Sequence, residues 1–165
     1  MVQTKRLLLR NLTDADVEIL AGYRNDIRCS RYQRYENTSA EYLISFVRKY
    51  SNSRFLSLEE EQHYAISRLD DKKMVGDLSV FFTEKDSCFT LGITIAPDYQ
   101  RRGYAVELLK EVVSRLQAQC PSVDIVALID KGNIGSIALF QKLGFVEECY
   151  AESIESYVYV IYGLG

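Results

Sequence analysis

The chain has a single histidine and only four cysteines, so it has little of what a metal or redox centre needs. The cysteines lie far apart, with no Cys-x-x-Cys pair and no cluster of cysteine with histidine. Free cysteines are among the most buried residue types in folded proteins. We therefore expect no metal site, and buried free thiols at Cys29, Cys88, Cys120 and Cys149.

Long apolar runs and a surplus of basic residues are also missing. No segment approaches the ~18 uncharged apolar residues of a membrane-spanning helix, and the start of the chain lacks the apolar region of a signal peptide. A net charge of -3 argues against the basic face that nucleic-acid binding usually requires. We expect a cytoplasmic protein that contacts neither a membrane nor, directly, a nucleic acid.

The composition suits an ordinary globular protein, with 47% hydrophobic and 26% charged residues. A chain of 165 residues typically buries roughly 70% of its unfolded surface, so it can form a core without disulfides or metals. No repeat, linker or low-complexity tract divides the sequence. We predict one domain spanning residues 1–165.

The most informative segment joins a predicted strand to a predicted helix. Residues 89–95 are rich in β-branched and apolar side chains, and Pro97 ends the strand because it supplies no ladder donor. Gly103 and Ala105 then open an amphipathic helix. Small residues let the backbone approach a ligand, and the N–H groups of a helix start attract phosphate. The order predicts a pyrophosphate site at residues 101–105.

Taken on its own, this short motif fits a purely structural role equally well. A glycine that only relieves a steric clash, beside two solvated arginines, would give the same residues. A nucleotide site is a third possibility. It is disfavoured because no Gly-Lys-Ser/Thr follows, as a Walker loop requires, and only one glycine of the Rossmann fingerprint is present.

The spacing of three blocks resembles one family. Gln100-x-x-Gly103-x-Ala105 is similar to the acetyl-CoA signature of the GNAT acyltransferase superfamily. Asn133 and Ser136, before a short helix closed by Gly-Phe, resemble its later motif. Residues 4–16 are similar to the opening of the branch that includes the ribosomal-protein N-terminal acetyltransferases of the RimJ and RimL kind. The blocks stand in the family's order over nearly the whole chain.

The resemblance implies an α/β (α+β) fold. We expect a mixed central sheet of about six to seven strands, flanked by about four helices, in which two parallel strands splay apart at the cofactor site. Residues 63–69, 74–82 and the strand ending at Ile95 then form an antiparallel meander. Residues 123–129 are apolar with few charges, which predicts a central strand buried on both faces and parallel to the strand before it.

The resemblance also implies acetyl-CoA as co-substrate. The strand at Ile93 to Ile95 would pair with the pantetheine arm, and one of its N–H groups would polarise the thioester carbonyl. The amides from Arg101 to Ala105 would hold the pyrophosphate, and Asn133 would contact the cofactor arm. The full set of expected cofactor-binding residues is Ile93, Thr94, Ile95, Gln100, Arg101, Arg102, Gly103, Tyr104, Ala105, Asn133, Ser136 and Phe140.

The catalytic groups depart from the family's pattern. Many relatives carry a tyrosine where Phe140 stands, and its hydroxyl protonates the departing thiolate, a role that phenylalanine cannot perform. Ser136 is the candidate general acid by motif position, unless it is a plain helix-start residue. The glutamate that some relatives place in a strand is replaced by Thr90. Glu152 is a candidate base acting through water.

Two further groups bear on the acceptor chemistry. Glu155 shares the predicted C-terminal hairpin with Glu152 and is a second candidate base. His63 opens a predicted strand and is interpreted as structural. An α-amine has a pKa of about 8 and a lysine amine of about 10.4, so an N-terminal acceptor needs less help to lose its proton.

These observations predict an N-acetyltransferase that passes acetyl directly from acetyl-CoA to a primary amine, either a protein N-terminus or a small molecule. The alternative is a non-catalytic acyl-CoA-binding sensor or scaffold with the same fold, acting as a monomer or a homodimer like the enzyme. The acceptor would enter beside a polar and aromatic segment, unless that segment is an ordinary exposed loop. Its residues are Arg28, Arg31, Tyr32, Arg34 and Tyr35.

Overall fold

A computed structural model of the chain describes residues 1–33, 35 and 37–165. Within these residues the chain forms eight strands and five α-helices. The strands are β1 (Val2–Gln3), β2 (Leu7–Asn11), β3 (Gln62–Arg68), β4 (Met74–Thr83), β5 (Cys88–Ile95), β6 (Asp124–Asp130), β7 (Val146–Ala151) and β8 (Ser156–Ile161). The helices are α1 (Val17–Arg24), α2 (Ile27–Ser30), α3 (Ala40–Lys49), α4 (Tyr104–Gln119) and α5 (Ile134–Lys142).

The strands form one mixed sheet in the order β1-β2-β3-β4-β5-β6-β8-β7. Strands β5 and β6 are parallel, with α4 between them in the chain, and the other neighbours pair antiparallel. The predicted mixed α/β fold is confirmed, but the sheet has one strand more than the upper expectation. The extra strand, β1, pairs Val2 with Leu9 and is too short to show any sequence periodicity.

Helices cover both faces of the sheet and bury two apolar clusters. The larger cluster packs Leu108, Val112 and Leu116 of α4 against Phe89 and Ile125 of the sheet. The smaller cluster lies on the α1 and α3 side and contains Leu20, Leu43 and Val47 together with Ala65 of β3. Each fully buried aliphatic side chain of this kind stabilises the fold by about 1.5–3 kcal/mol relative to its exposed state.

Local signals in the sequence set the ends of the helices. Ser39 caps α3 by accepting a hydrogen bond from the N–H of Tyr42, as the pattern of serine before an apolar stripe predicts. Gly144 has a φ of 93° after α5, and the N–H of Phe145 bonds the carbonyl of Phe140 at 3.0 Å. Gly144 therefore forms a left-handed cap at the end of this helix.

Strand β6 corrects one expectation, because only one of its faces is buried. Ile125, Ala127 and Ile129 are buried, whereas Leu128 is 47% exposed. In the described part of the chain, no β6 residue belongs to the cluster under α1 and α3. Those helices cover the sheet only as far as β5, so the residues of β6 that point to their side meet solvent.

Strands β5 and β6 separate from each other partway along their length. Residues Cys88 to Leu91 pair with Asp124 to Ala127. Beyond that point β5 pairs only with β4, and β6 pairs only with β8. The predicted splay of the two parallel strands is therefore present, and it leaves backbone groups of β5 facing a gap.

The cysteines are free but differ in exposure. Cys29 and Cys88 are buried and Cys120 is partly buried, whereas Cys149 is exposed. The expectation of a buried thiol is wrong for Cys149, because it lies on β7, the edge strand of the sheet. No helix in the part of the chain that the structure describes has the length and apolar character needed to cross a membrane.

Candidate active site

A pocket of about 590 Å³ opens where β5 and β6 separate. One wall is the end of β5, the next is the loop and first turn of α4, and a third is α5. The fourth wall is α2 with the residues that follow it. Because α2 lies on one face of the sheet and α4 on the other, the pocket passes through the sheet. Its volume is typical of a small-molecule or cofactor site.

The structure brings nearly all of the expected cofactor-binding residues into this pocket. Those that line it are Ile93, Thr94, Ile95, Gln100, Arg101, Gly103, Tyr104, Ala105, Asn133 and Ser136. Arg102 and Phe140 do not line it. The Arg102 guanidinium donates to the carbonyl of Asp98 at 3.0 Å. Phe140 is 3% exposed and packs edge to face with Phe145, with ring centroids 5.0 Å apart.

The loop before α4 has the backbone geometry of an anion site. Arg101 and Gly103 both have left-handed backbones, with φ values of 61° and 78°. The amide of Gln100 donates to the carbonyl of Ile95 at 2.9 Å and ties the loop to the end of β5. In the first hydrogen bond of α4, the N–H of Glu107 donates to the carbonyl of Gly103 at 3.1 Å. The earlier N–H groups of the helix therefore stay available to a ligand.

The charges around the pocket also favour an anion. Its lining includes Arg28, Arg101 and Lys142, and no aspartate or glutamate among the residues that the structure describes. Over the same residues, no group of three or more histidine, cysteine or acidic side chains could hold a metal ion. Arg28 is already paired with Asp26 and Asp98, at 2.6 and 3.6 Å. Arg101 and Lys142, which have no carboxylate partner among the described residues, make the pocket cationic, and it is also open to backbone donors.

The start of α5 presents two polar side chains to the pocket. Asn133 caps the helix, since its side-chain oxygen accepts from the N–H of Ser136 at 3.2 Å. This bond leaves the amide donors of Asn133 unused. The Ser136 hydroxyl has no hydrogen-bond partner among the described residues and lies at the pocket wall.

Much of the predicted acceptor segment lies on the opposite wall. Arg28, Cys29, Tyr32 and Gln33 line the pocket, and the first part of the segment forms the short helix α2. The Tyr35 hydroxyl lies 3.3 Å from the Thr94 hydroxyl on β5. Arg31 places its guanidinium 5.8 Å above the Tyr32 ring. Arg34 lies outside the described residues.

A buried polar network on this side was missed by sequence reasoning. Asp77 of β4 is 7% exposed, and it accepts a short hydrogen bond from the Tyr23 hydroxyl and one of 3.3 Å from Arg24. The Arg24 guanidinium lies between the rings of Tyr35 and Phe46, at 4.8 and 4.6 Å. Burial, and then the charge of Asp77, raise the pKa of Tyr23 well above its usual value.

The network reaches the pocket along one face of the sheet, by way of Thr94 on β5. Asp77 pairs directly with Thr94 across β4 and β5, so the two side chains share a face. The sequence did contain a signal, because a carboxylate interrupts the otherwise apolar first half of β4. A charged side chain buried in such a strand requires a hydrogen-bonded partner, and here the partners are Tyr23 and Arg24 of α1.

The remaining candidates lie outside the pocket. Glu152 opens a short 3₁₀ turn between β7 and β8 and is exposed, as is Glu155. Thr90 lies on the paired half of β5. The His63 ring packs 4.7 Å from Phe46 and bonds Glu61 at 2.9 Å.

Comparison with known proteins agrees with this geometry. Residues 6–146 match the family described as the acetyltransferase (GNAT) domain. The uncharacterized N-acetyltransferase YoaA of Bacillus subtilis (strain 168) is 32% identical over 154 residues, which cover 90% of this chain and 84% of that protein. Both likenesses span most of the chain.

Solved structures show the same fold. A putative ribosomal-protein-serine acetyltransferase from Vibrio cholerae superposes with a TM-score of 0.80 at 20% identity, covering 98% of this chain and 96% of that one. Spermidine N-acetyltransferase from Vibrio cholerae, in complex with CoA and spermine, gives 0.69 at 19% identity over 94% of each chain. The family match and the Bacillus relative together show that the chain belongs to the GNAT family of acetyltransferases and is an acyltransferase enzyme.

Proposed function

We propose that the chain is an acetyl-CoA-dependent N-acetyltransferase that passes the acetyl group directly to a primary amine. One observation carries the proposal: a free strand edge, a left-handed loop and a row of helix N–H groups without helical partners meet in a single cationic pocket. The free strand edge suits the amide-bearing pantetheine arm, which ends in the thioester, and the loop and the helix N–H groups suit the diphosphate at the other end of that arm.

The residues of this chain fit the cofactor as follows. The free edge of β5 at Ile93 to Ile95 offers N–H and C=O groups to the pantetheine amides, as an added strand would. The N–H groups of Gly103 and Ala105, with the dipole of α4, stabilise the diphosphate. Lys142 supplies a further positive charge at the pocket wall. Tyr104, which is 8% exposed, contributes its backbone, because its ring packs in the core.

The proposal of direct transfer makes a prediction about Cys29, the thiol in the pocket wall. Burial raises the pKa of Cys29 to about 11, with smaller contributions from Asp26 and Asp77. At pH 7 only about one molecule in 10,000 then carries the reactive thiolate. We expect Cys29→Ala to keep kcat within about twofold, since no covalent step uses the sulfur. Steady-state kinetics measure this.

Mass spectrometry of the enzyme mixed with acetyl-CoA alone provides a second check on Cys29. Direct transfer predicts no acetyl adduct on the protein. An acetyl group on Cys29, together with loss of turnover in Cys29→Ala, would contradict it and indicate a two-step reaction. Cys149→Ala is the matched control, because that thiol is exposed on β7, far along the sheet from β5.

We propose a polypeptide N-terminus as the acceptor, in line with the RimJ/RimL-like opening of the chain. A polyamine carries several positive charges and needs acidic partners, which the described lining of the pocket does not supply. A peptide end carries one amine and a row of amides, which suit the polar walls at Gln33, Thr94 and Tyr32. The α-amine also has the lower pKa, so the missing strand glutamate matters less.

A thiol-release assay with acetyl-CoA and a panel of amines tests this function. We expect kcat/KM for peptides with free N-termini to exceed that for spermine by about 100-fold, since two or more unpaired charges in a cationic pocket cost about 3 kcal/mol. The same peptides with blocked N-termini are the matched control. Preference for spermine would contradict the acceptor class, and absence of CoA binding by calorimetry would contradict the function itself.

We propose two catalytic roles, a general acid and a base, from the positions of the residues alone. Ser136 places its hydroxyl at the pocket wall and is the general-acid candidate that the motif indicates. Glu152, exposed in the turn after β7, would act as a base only through water. An α-amine acceptor reduces the need for the base, because its pKa is lower, but it does not change the need for a proton donor to the thiolate.

A further inference from the structure

A short segment bridges the two strands that splay apart. We call residues 29–33, the last two residues of α2 and the three that follow it, the strap. At one end the Cys29 thiol donates to the carbonyl of Ile95, the last residue of β5, at 3.8 Å. At the other end the Tyr32 ring packs on Gly132, just past β6, where an added Cβ would lie 3.1 Å from Tyr32 Cε1. The strap therefore spans the gap on the α1 side of the pocket.

The hydroxyl of Tyr32 is free within this arrangement. Tyr32 lines the pocket, and its hydroxyl has no hydrogen-bond partner among the residues that the structure describes. The hydroxyl of Tyr35 differs, because it is 3.3 Å from Thr94. A polar group at a cavity wall without a protein partner is available to a ligand. The strap thus holds the ring by its packing and leaves the O–H unused.

The phenol of Tyr32, at the pocket wall, matches a chemical need of the reaction. Loss of the thiol group from the tetrahedral intermediate is faster with a proton donor near sulfur, and Phe140 cannot supply one. A phenol has a pKa of about 10, close to that of a thiol at about 8.5. Serine is not among the usual general acids, so the Ser136 hydroxyl is the poorer match.

We infer that Tyr32 is the proton donor to the sulfur of CoA, a catalytic role that rests on the proposed function. As the C–S bond breaks, its electron pair stays on sulfur, which takes the proton of the Tyr32 hydroxyl. The new C–N bond is already formed, and the surplus proton on nitrogen leaves to water. Water then returns one proton to the phenolate, so the products are the amide and the free thiol.

The test compares Tyr32→Phe with Ser136→Ala and Tyr162→Phe. Phenylalanine keeps the ring against Gly132 and removes only the hydroxyl. We expect kcat to fall about 100-fold in Tyr32→Phe, with KM for acetyl-CoA unchanged. Tyr162→Phe is the matched control, since its hydroxyl bonds Glu148 and it does not line the pocket. Normal turnover in Tyr32→Phe, or a 100-fold loss in Ser136→Ala instead, would overturn the inference.

A binding measurement gives a readout that does not depend on turnover. Calorimetry with CoA and with desulfo-CoA reports the contact to sulfur directly. The wild type should bind CoA about fivefold more tightly than desulfo-CoA, and Tyr32→Phe should lose this preference, because one hydrogen bond is worth about 1 kcal/mol. An unchanged preference in the variant contradicts the role of Tyr32 alone. Failure of the wild type to bind CoA contradicts the proposed function as well.

A second variant tests the strap by its other contact. In Gly132→Ala the new methyl group would lie 3.1 Å from the Tyr32 ring and 3.2 Å from Asp130 Oδ1, so these neighbours must give by a few tenths of an ångström. We expect the same loss of the CoA preference over desulfo-CoA with the hydroxyl still present. Retention of that preference would overturn the claim that packing on Gly132 sets the position of Tyr32.

Discussion

We expect the replacement of Gly103 with valine to lower the affinity for CoA by about 100-fold, if the proposed diphosphate site is correct. The φ of 78° at Gly103 is a region in which a β-branched residue is strained by about 1–3 kcal/mol, so the loop must rearrange. Rearrangement turns the first N–H groups of α4 away from the diphosphate. One or two hydrogen bonds to a charged group, each worth about 1.5–3 kcal/mol, account for the expected loss. Calorimetric titration with CoA measures it.

Gly144→Val provides the matched control for this experiment. Gly144 also has a left-handed backbone, with a φ of 93°, and an added Cβ there would meet no atom within 4 Å. It follows α5 and does not line the pocket. Both variants should lose a similar amount of stability, but only Gly103→Val should lose CoA affinity. Equal affinities in the two variants would contradict a diphosphate site at the start of α4.

Replacing Asp77 with leucine lowers the free energy of unfolding by about 3–5 kcal/mol. The change leaves the Arg24 guanidinium buried without a counter-charge, and breaking one side of a buried ion pair has a cost of this size. It also removes the acceptor of the Tyr23 hydroxyl. Among the residues that the structure describes, Arg24 Nε already lacks a partner, so these residues offer no spare acceptor. A chain of this length should melt about 10 °C lower.

The double variant Arg24→Met and Asp77→Leu separates charge from packing. With both charges removed, an apolar pair of similar volume fills the space, and most of the lost stability should return. Arg10→Met is a suitable control, because it breaks the Arg10–Asp16 pair of 2.8 Å, which is more exposed. A double variant as unstable as Asp77→Leu alone would show that the network stabilises the fold by its shape and not by its charge balance.

Local signals in the sequence were enough to predict the elements on one side of the pocket, whereas the cofactor expected there came from the resemblance to a family. The end of β5, the glycine before α4 and the asparagine before α5 are each recognisable from a few neighbouring residues, because strand ends and helix caps depend on short-range geometry. The parallel pairing of β5 with β6 follows from the helix between them. These elements meet at the pocket as expected.

The acceptor side could not be predicted in the same way, because long-range contacts fix it. Nothing near Tyr32 in the sequence indicates that its ring will rest on Gly132, about a hundred residues later in the chain. The partners of Asp77 come from α1, on the opposite layer of the fold. The exposure of Leu128 on β6 likewise depends on how far α1 and α3 extend over the sheet. The apolar sequence of β6 does not indicate this.

The passage of the pocket through the sheet has a consequence for the order of events. The two reactants would arrive from opposite sides, the acyl carrier past α4 and α5 and the amine past the strap, and meet only at the plane of the strands. Spent carrier and acetylated product then leave by different routes, and neither blocks the other's exit. Free CoA should therefore compete with acetyl-CoA for its binding site without blocking the entry of the amine.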